Sequence, residues 1–102
     1  MITRYTDIKE EYKIKRYRLS FYGMVQGVGF RYTAMHVANM YRLTGYVKNE
    51  YDGSVTCEVQ GDDETIDRFV AAIRGGRFID ISGIDRKTLE IIPDERSFEV
   101  RY

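Results

Sequence analysis

The sequence predicts one α+β domain in which two helices pack on one face of an antiparallel sheet. Three observations carry this prediction. Apolar residues alternate with polar ones near both ends of the chain and around an Asp-Gly pair at its middle, as in β-strands. Between these segments, apolar residues recur at helical spacing. Glycines mark the boundaries between the predicted strands and helices. The resulting order is strand, helix, strand, strand, helix, strand, followed by an added C-terminal strand. This is the split β-α-β arrangement of the ferredoxin-like fold.

Composition and charge limit the functions open to the 102-residue chain. One core fits this length, and 43% apolar with 31% charged residues is typical of a soluble globular protein. Sixteen basic residues balance sixteen acidic ones, so no overall positive charge attracts nucleic acid or an acidic membrane. Any anion-binding site must therefore be local.

Cysteine usage and the N-terminal segment bear on metal binding and compartment. Cys57 is the only cysteine, which excludes an intramolecular disulfide, and no Cys/His spacing suggests a zinc site. Residues 1–15 are polar and charged, unlike a signal peptide, and no apolar run reaches membrane-spanning length. We therefore expect a cytoplasmic protein.

The first half of the chain predicts an extension, a strand and a helix. Residues 1–14 mix charges and tyrosines without a sustained period, and we interpret them as an N-terminal extension to a domain of residues 15–102. Residues 15–23 alternate, with Tyr17, Leu19 and Phe21 on one face. A helical stripe follows, formed by Phe30, Ala34, Val37, Ala38 and Tyr41. Thr44 and Gly45 are expected to end this helix.

The second half predicts a hairpin, a helix and two further strands. Asp52-Gly53 is a strong short-range hairpin signal. Acidic residues at positions 62–64 suit the first turn of a helix, where they act as caps, and two glycines at 75–76 stop it. The segments are, in order, strands at 46–49 and 54–60, a helix with the apolar residues Ile66, Phe69, Val70 and Ile73, a strand at 84–91, and a last strand at 98–102 after a turn at Pro93.

The stretch between the first strand and the first helix has the composition of an anion-binding loop. Three of the seven residues from Gly23 to Gly29 are glycines, which let backbone N–H groups converge on an anion. The helix opening behind them adds unpaired amides, and Arg31 adds a planar charged fork suited to two phosphate oxygens. Neither a Walker loop nor a dinucleotide fingerprint fits, since the stretch has no lysine and Tyr32 replaces the third glycine. An ordinary strand-to-helix turn is the alternative.

Asn49 is the second candidate site residue, because of where the second strand ends. In the usual strand order 4-1-3-2, strands one and two run in the same direction with only strand three between them. Their C-terminal ends then lie on one edge of the sheet, about 10 Å apart, with room for a phosphate and a water. Asn49 faces the glycine-rich stretch there, and its amide can orient a water. Turn chemistry at the hairpin is the alternative explanation for this asparagine.

Two motifs resemble those of the acylphosphatase family. Residues 23–31, Gly-Met-Val-Gln-Gly-Val-Gly-Phe-Arg, are similar to its first signature, G-x-V-Q-G-V-x-[FY]-R. Residues 45–61 are similar to its second, G-[aromatic]-V-x-N-x-x-x-G-x-V-x-x-x-x-x-G. Both spacings are intact, and the likeness extends over about residues 15–102.

The resemblance implies hydrolysis of the carboxyl–phosphate bond of a small-molecule acyl phosphate. Arg31 and Asn49 are then the catalytic residues: Arg31 and the loop amides bind the phosphate, and Asn49 positions the attacking water. The implied phosphate-binding loop consists of Gln26, Gly27, Val28, Gly29, Phe30 and Arg31. No metal or cofactor is implied, and inorganic phosphate, the product, is expected to inhibit competitively.

Two other functions are compatible with this order of elements, namely an RNA-binding module and a non-catalytic anion-binding domain. The RNA recognition motif needs a basic residue and stacking aromatics on its third strand, and residues 54–60 have neither. We therefore expect neither nucleic acid nor a membrane as a partner. His36 lies off the apolar stripe of the first helix and is interpreted as a solvated helix residue. Cys57 is interpreted as a small core residue.

Overall fold

Residues 14–102, the part of the chain that the computed structural model describes, form a five-stranded sheet and two helices. Residues 1–13 lie outside this part, and with them nearly all of the predicted extension of residues 1–14. The elements are, in chain order, β1 (Ile14–Met24), α1 (Phe30–Met40), β2 (Thr44–Asn49), β3 (Val55–Asp62), α2 (Asp63–Arg74), β4 (Asp80–Leu89) and β5 (Phe98–Arg101).

The strands follow one another across the sheet in the order β4-β1-β3-β2-β5. β3 is antiparallel to both β1 and β2, so these two strands run in the same direction, and β4 is antiparallel to β1. The predicted order 4-1-3-2 is confirmed. β5 pairs parallel with β2 on its outer side. The C-terminal ends of β1, β2 and β5 therefore meet one edge of the sheet, marked by Met24, Asn49 and Arg101 and called the loop edge below.

The core lies between the sheet and the two helices. Alternating residues of the strands are buried against α1 and α2, as a period of two predicts. In β1 and β3 they are Tyr17, Leu19, Phe21, Val55, Cys57 and Val59. Cys57 is fully buried, and this burial raises the pKa of its thiol. Its predicted role as a small core residue is confirmed.

The end of α1 differs from the prediction. The helix stops at Met40, and Arg42 adopts a left-handed φ of 58° in the turn that follows. Thr44 and Gly45, which were expected to end the helix, instead begin β2. Gly45 has a φ of 136°, and the backbone of Glu58 approaches so closely that a side chain has no room. This glycine serves the close approach of two strands and does not terminate a helix.

The face of the sheet opposite the helices carries a buried charge network that fixes the path from β4 to β5. Arg16 is 2% exposed and donates to Glu58 at 3.0 Å and to Glu95, in the β4–β5 connection, at 2.7 Å. Gln60 exchanges two hydrogen bonds of 2.9 Å with the backbone of Ile92 in the same connection. The connection is thereby held across this face, and it brings β5 to the outer side of β2.

Candidate active site

A cavity of about 130 Å³ opens at the loop edge, between the ends of β1 and β2. It brings together the arginine, the asparagine and the loop between β1 and α1, residues 25–29, which we call the glycine loop. Gln26 and Val28 were predicted as site residues and do not line it, whereas Val25 and Tyr32 line it without having been predicted. The lining residues are Val25, Gly27, Gly29, Phe30, Arg31, Tyr32 and Asn49.

The glycine loop owes its shape to two left-handed residues. Gly27 has a φ of 73° and Gly29, the N-cap of α1, a φ of 79°. A Cβ atom built at either position meets no atom within 4 Å, so space is not what requires glycine here. The requirement is the backbone conformation, which costs a residue with a side chain roughly 1–2 kcal/mol. The glycines thus allow the chain to turn from β1 into the helix at the wall of the cavity.

The backbone amides of this turn are free to bind a ligand. Thr33 is the first residue after the turn whose N–H is paired, with the carbonyl of Gly29 at 3.0 Å. Within the described part of the chain, the N–H groups of residues 26–32 make no hydrogen bond. Unpaired amides at the start of a helix carry partial positive charge and favour an anion. The unpaired N–H groups that an anion-binding loop requires are therefore available in this turn.

The side chain of Gln26 anchors the glycine loop to the β2–β3 hairpin. Its Nε2 donates to the carbonyl of Glu50 at 2.8 Å and to that of Ser54 at 2.9 Å. These bonds join the loop to the turn that follows Asn49, and so set the distance between the two halves of the cavity. Val28 packs against the core. A role of Gln26 and Val28 in phosphate binding is therefore restricted to their backbone amides.

We expect Gln26→Glu to destabilise the protein. The substitution keeps the shape of the side chain but replaces a double donor with a carboxylate that faces two carbonyl oxygens. The free energy of unfolding should fall by about 1–2 kcal/mol in urea denaturation. Gln26→Ala allows water to reach both carbonyl oxygens, so it should lower the free energy of unfolding less than Gln26→Glu does. Unchanged stability of Gln26→Glu would mean that the two hydrogen bonds do not hold the loop in solution.

The Arg31 guanidinium is held by residues at the end of β5. Its Nη1 donates to the carbonyl of Arg101 at 3.3 Å, and its Cζ lies 4.7 Å from the centre of the Tyr102 ring. No carboxylate of the described residues lies within ion-pair distance of Arg31. The guanidinium is thus oriented without having its charge neutralised.

The position of Arg101 is fixed in turn by Tyr46 of β2. The Arg101 guanidinium lies 3.9 Å from the centre of the Tyr46 ring, and the Tyr46 hydroxyl donates to Glu58 at 3.0 Å. Burial opposes the charge on Glu58, but hydrogen bonds from Tyr46, Arg16 and Arg18 outweigh it and hold the pKa of this carboxyl below its usual value. The charge network on the opposite face of the sheet therefore extends to the backbone that orients Arg31.

Tyr32 and Tyr102 form a pair beside Arg31. Their hydroxyl groups are 2.8 Å apart. The hydrogen bond with Tyr32 raises the pKa of Tyr102 above its ordinary value. In the sequence, Tyr32 stands out only as a departure from a glycine pattern, and residue 102 only as part of the last predicted strand. Local sequence gives no signal for this pair, because it depends on β5 lying beside β2.

Asn49, the last residue of β2, lines the cavity from the side opposite the glycine loop. Its side-chain amide makes no hydrogen bond to any residue in the described range 14–102. The hairpin turn is secured by other groups: Asp52 accepts from the Ser54 amide at 2.9 Å, and the Glu50 amide donates to the Ser54 carbonyl at 2.8 Å. The turn-chemistry explanation for Asn49 therefore has no contact to support it.

The remaining candidates from the sequence lie away from the cavity. His36 is exposed on α1, as expected for a solvated helix residue. Asp62 caps α2 by accepting from the Thr65 amide at 3.2 Å, as predicted, whereas the Asp63 carboxylate accepts from the Tyr17 hydroxyl at 2.8 Å and does not cap the helix. Across residues 14–102, no group of three or more His, Cys, Asp or Glu residues is placed to hold a metal ion. Neither described helix is long and apolar enough to cross a membrane.

Comparison with known proteins identifies relatives of nearly the same length. The sequence model of the family described as Acylphosphatase matches residues 17–100. A Clostridium acetobutylicum protein named acylphosphatase is 41% identical over 90 residues, which are 87% of this chain and 99% of that protein.

Two solved structures share the fold. The acylphosphatase from Bacillus subtilis matches with a TM-score of 0.80 and 32% identity, over 87% of this chain and 99% of that one. An acylphosphatase from Coxiella burnetii matches with a TM-score of 0.80 and 26% identity, over 91% of this chain and 98% of that one.

Proposed function

The chain belongs to the acylphosphatase family, and from this premise we propose how its cavity hydrolyses an acyl phosphate. The enzyme breaks the carboxyl–phosphate bond of a small-molecule substrate and releases a carboxylate and inorganic phosphate. Arg31 and the loop amides bind the phosphate, and Asn49 positions the attacking water. The observation that supports this most directly is the cavity itself, in which all three elements share one small space. The cytoplasm is its expected compartment from the sequence.

Phosphate binding is assigned to the unpaired donors of the glycine loop and α1. The unpaired amides of residues 26–32 and the guanidinium of Arg31 supply N–H groups and positive charge beside the cavity. Arg31 has five N–H donors, of which one contacts the Arg101 carbonyl, so several remain for phosphate oxygens. In a chain with no net charge, this local concentration of donors is what draws the anion to the site.

Water attack needs positioning more than acid–base chemistry. The leaving group is a carboxylate, whose low basicity means that it departs with little protonation. Catalysis can therefore rest on orientation of the water and on stabilisation of negative charge. The Asn49 amide oxygen accepts a hydrogen bond from the water and turns an oxygen lone pair toward phosphorus. No histidine or carboxylate of the described residues lines the cavity, so a phosphate oxygen of the substrate takes the water's proton.

The third strand is not expected to bind nucleic acid. In the RNA recognition motif, bases stack on aromatic residues of the sheet face opposite the helices. That face of β3 is occupied here by Glu58 and Gln60, which are 9% and 8% exposed and engaged with Arg16 and the β4–β5 connection. A base has no free stacking surface on this strand.

Release of inorganic phosphate from benzoyl or acetyl phosphate by the purified chain tests the proposed function. We expect turnover well above the spontaneous rate of hydrolysis, and competitive inhibition by added phosphate. Absence of turnover together with retained phosphate binding would identify the non-catalytic anion-binding domain instead.

Activity should survive removal of metal ions. The proposed chemistry uses amides, one guanidinium and one side-chain amide, and it gives no step to Mg²⁺ or Zn²⁺. Phosphate release should therefore be the same in excess EDTA as in untreated buffer. Loss of activity in EDTA, with recovery on adding a divalent metal, would contradict this mechanism.

A further inference from the structure

Exposed apolar side chains of the described residues are concentrated at the loop edge. Among residues 14–102, six large apolar residues are more than half exposed, and five of them lie at this edge: at the ends of β1 and β5, in the β2–β3 hairpin, in the first turn of α1 and in the segment before β4. The six are Met24, Tyr32, Met40, Tyr51, Phe78 and Tyr102, of which Met40 lies at the other end of α1. Scattered exposed apolar residues are ordinary, but their concentration on the edge of the sheet that holds the cavity favours contact with a ligand.

Tyr32 is the member of this cluster that lines the cavity. The other apolar lining residues, Val25 and Phe30, are 0% and 2% exposed, so their side chains belong to the core. Tyr32 is 56% exposed. It is therefore the apolar side chain of the lining that remains accessible to a bound molecule.

The Tyr32 ring contacts Tyr102 beside the phosphate-binding groups. Its hydroxyl is 2.8 Å from that of Tyr102, and the Tyr102 ring lies against the Arg31 guanidinium. Two aromatic rings thus lie together next to the arginine that binds phosphate, and each exposes more than half of its surface. Tyrosine side chains offer a large contact area at a low cost in conformational entropy.

We infer that Tyr32 and Tyr102 form a subsite for the acyl group, and that it favours acyl phosphates with an aromatic or similarly flat apolar acyl group. The inference rests on the proposed function, because that function places the phosphate on Arg31 and the loop amides. A cavity of about 130 Å³ has room for the phosphate and a water, so a bulky acyl group must extend to the rim. There the exposed rings offer offset-stacked or edge-to-face contact, which a methyl group cannot make.

Paired substrates test this inference. We would measure kcat/KM for benzoyl phosphate and for acetyl phosphate in the native enzyme, Tyr32→Ala, Tyr32→Phe and Tyr51→Ala, together with inhibition by inorganic phosphate. Comparing the benzoyl-to-acetyl ratio between variants cancels the different intrinsic reactivity of the two substrates. Tyr51 is the matched control, since it is a fully exposed tyrosine of the loop edge that does not line the cavity.

Tyr32→Ala should lower the benzoyl-to-acetyl ratio by about 3- to 10-fold, the range for loss of one aromatic contact. Tyr32→Phe, which keeps the ring, should retain most of the native ratio, and Tyr51→Ala should retain all of it. An unchanged ratio in Tyr32→Ala would overturn the inference. So would an equal fall for both substrates with weaker phosphate inhibition, because the tyrosine pair would then only position Arg31. If the native enzyme hydrolyses neither substrate, the proposed function fails and the inference with it.

Discussion

Replacement of Arg31 by alanine should lower kcat/KM for an acyl phosphate by about 10²- to 10³-fold, the range for loss of one preorganised charge-stabilising group. The guanidinium has no carboxylate partner among the described residues, so its charge is available to the phosphate before and during the reaction. Because Arg31 stabilises both the bound phosphate and the transition state, inhibition by inorganic phosphate should weaken as well. Steady-state kinetics with and without added phosphate measure both effects.

Two further variants separate geometry from charge. Arg31→Lys keeps the positive charge but loses the planar fork and its contact with the Tyr102 ring, so its loss of activity should be intermediate. Arg68→Ala removes an exposed arginine from α2, away from the cavity, and should leave activity and phosphate inhibition unchanged. Near-native phosphate inhibition in Arg31→Ala would require the phosphate to bind somewhere else.

Asn49→Ala should lower kcat by roughly 10²-fold or more while inhibition by phosphate changes less than about threefold. The Asn49 amide positions the attacking water, and inorganic phosphate binds as an inhibitor without that water. Loss of the amide therefore destabilises the transition state and leaves phosphate binding nearly unchanged. This separation of kcat from phosphate affinity distinguishes the role of Asn49 from that of Arg31.

Stability is the measurement that decides between catalysis and turn chemistry at Asn49. If Asn49 only secured the hairpin, its replacement would lower the free energy of unfolding by about 1 kcal/mol and would leave kcat unchanged. Since Asp52 and the Ser54 carbonyl hold the turn, we expect Asn49→Ala to melt close to the native temperature. Asn39→Ala, a change at an exposed asparagine of α1, is the matched control. A stable Asn49→Ala with native turnover would eliminate the water-positioning role.

The parts of the site that could be predicted are those that depend on local sequence and on strand order. The glycines at positions 27 and 29 predict a turn with left-handed backbone conformation, and Arg31 follows them at the start of a helix. The position of Asn49 follows from the 4-1-3-2 order, because parallel strands end at the same edge. The first inference needs only the local sequence, and the second needs the usual strand order of the fold as well.

What could not be predicted depends on contacts between distant segments. β4 begins at Asp80, earlier than the predicted start at 84, because residues 80–83 are drawn into pairing with the end of β1 despite a weak alternating pattern. The parallel pairing of β5 with β2 is likewise set by the path of the connection across the sheet, and with it the contact of Tyr102 with Arg31. Gln26 carries no local sign that its side chain binds the hairpin carbonyls.

Hydrolysis of benzoyl phosphate in ¹⁸O-labelled water shows which atom the water attacks. In the proposed mechanism, a water positioned by Asn49 attacks the phosphorus of a phosphate held by Arg31 and the glycine loop. The label should then appear in inorganic phosphate, in both native enzyme and the residual activity of Arg31→Lys. Label found in the released benzoate would place the attack at the carbonyl carbon and would contradict this account.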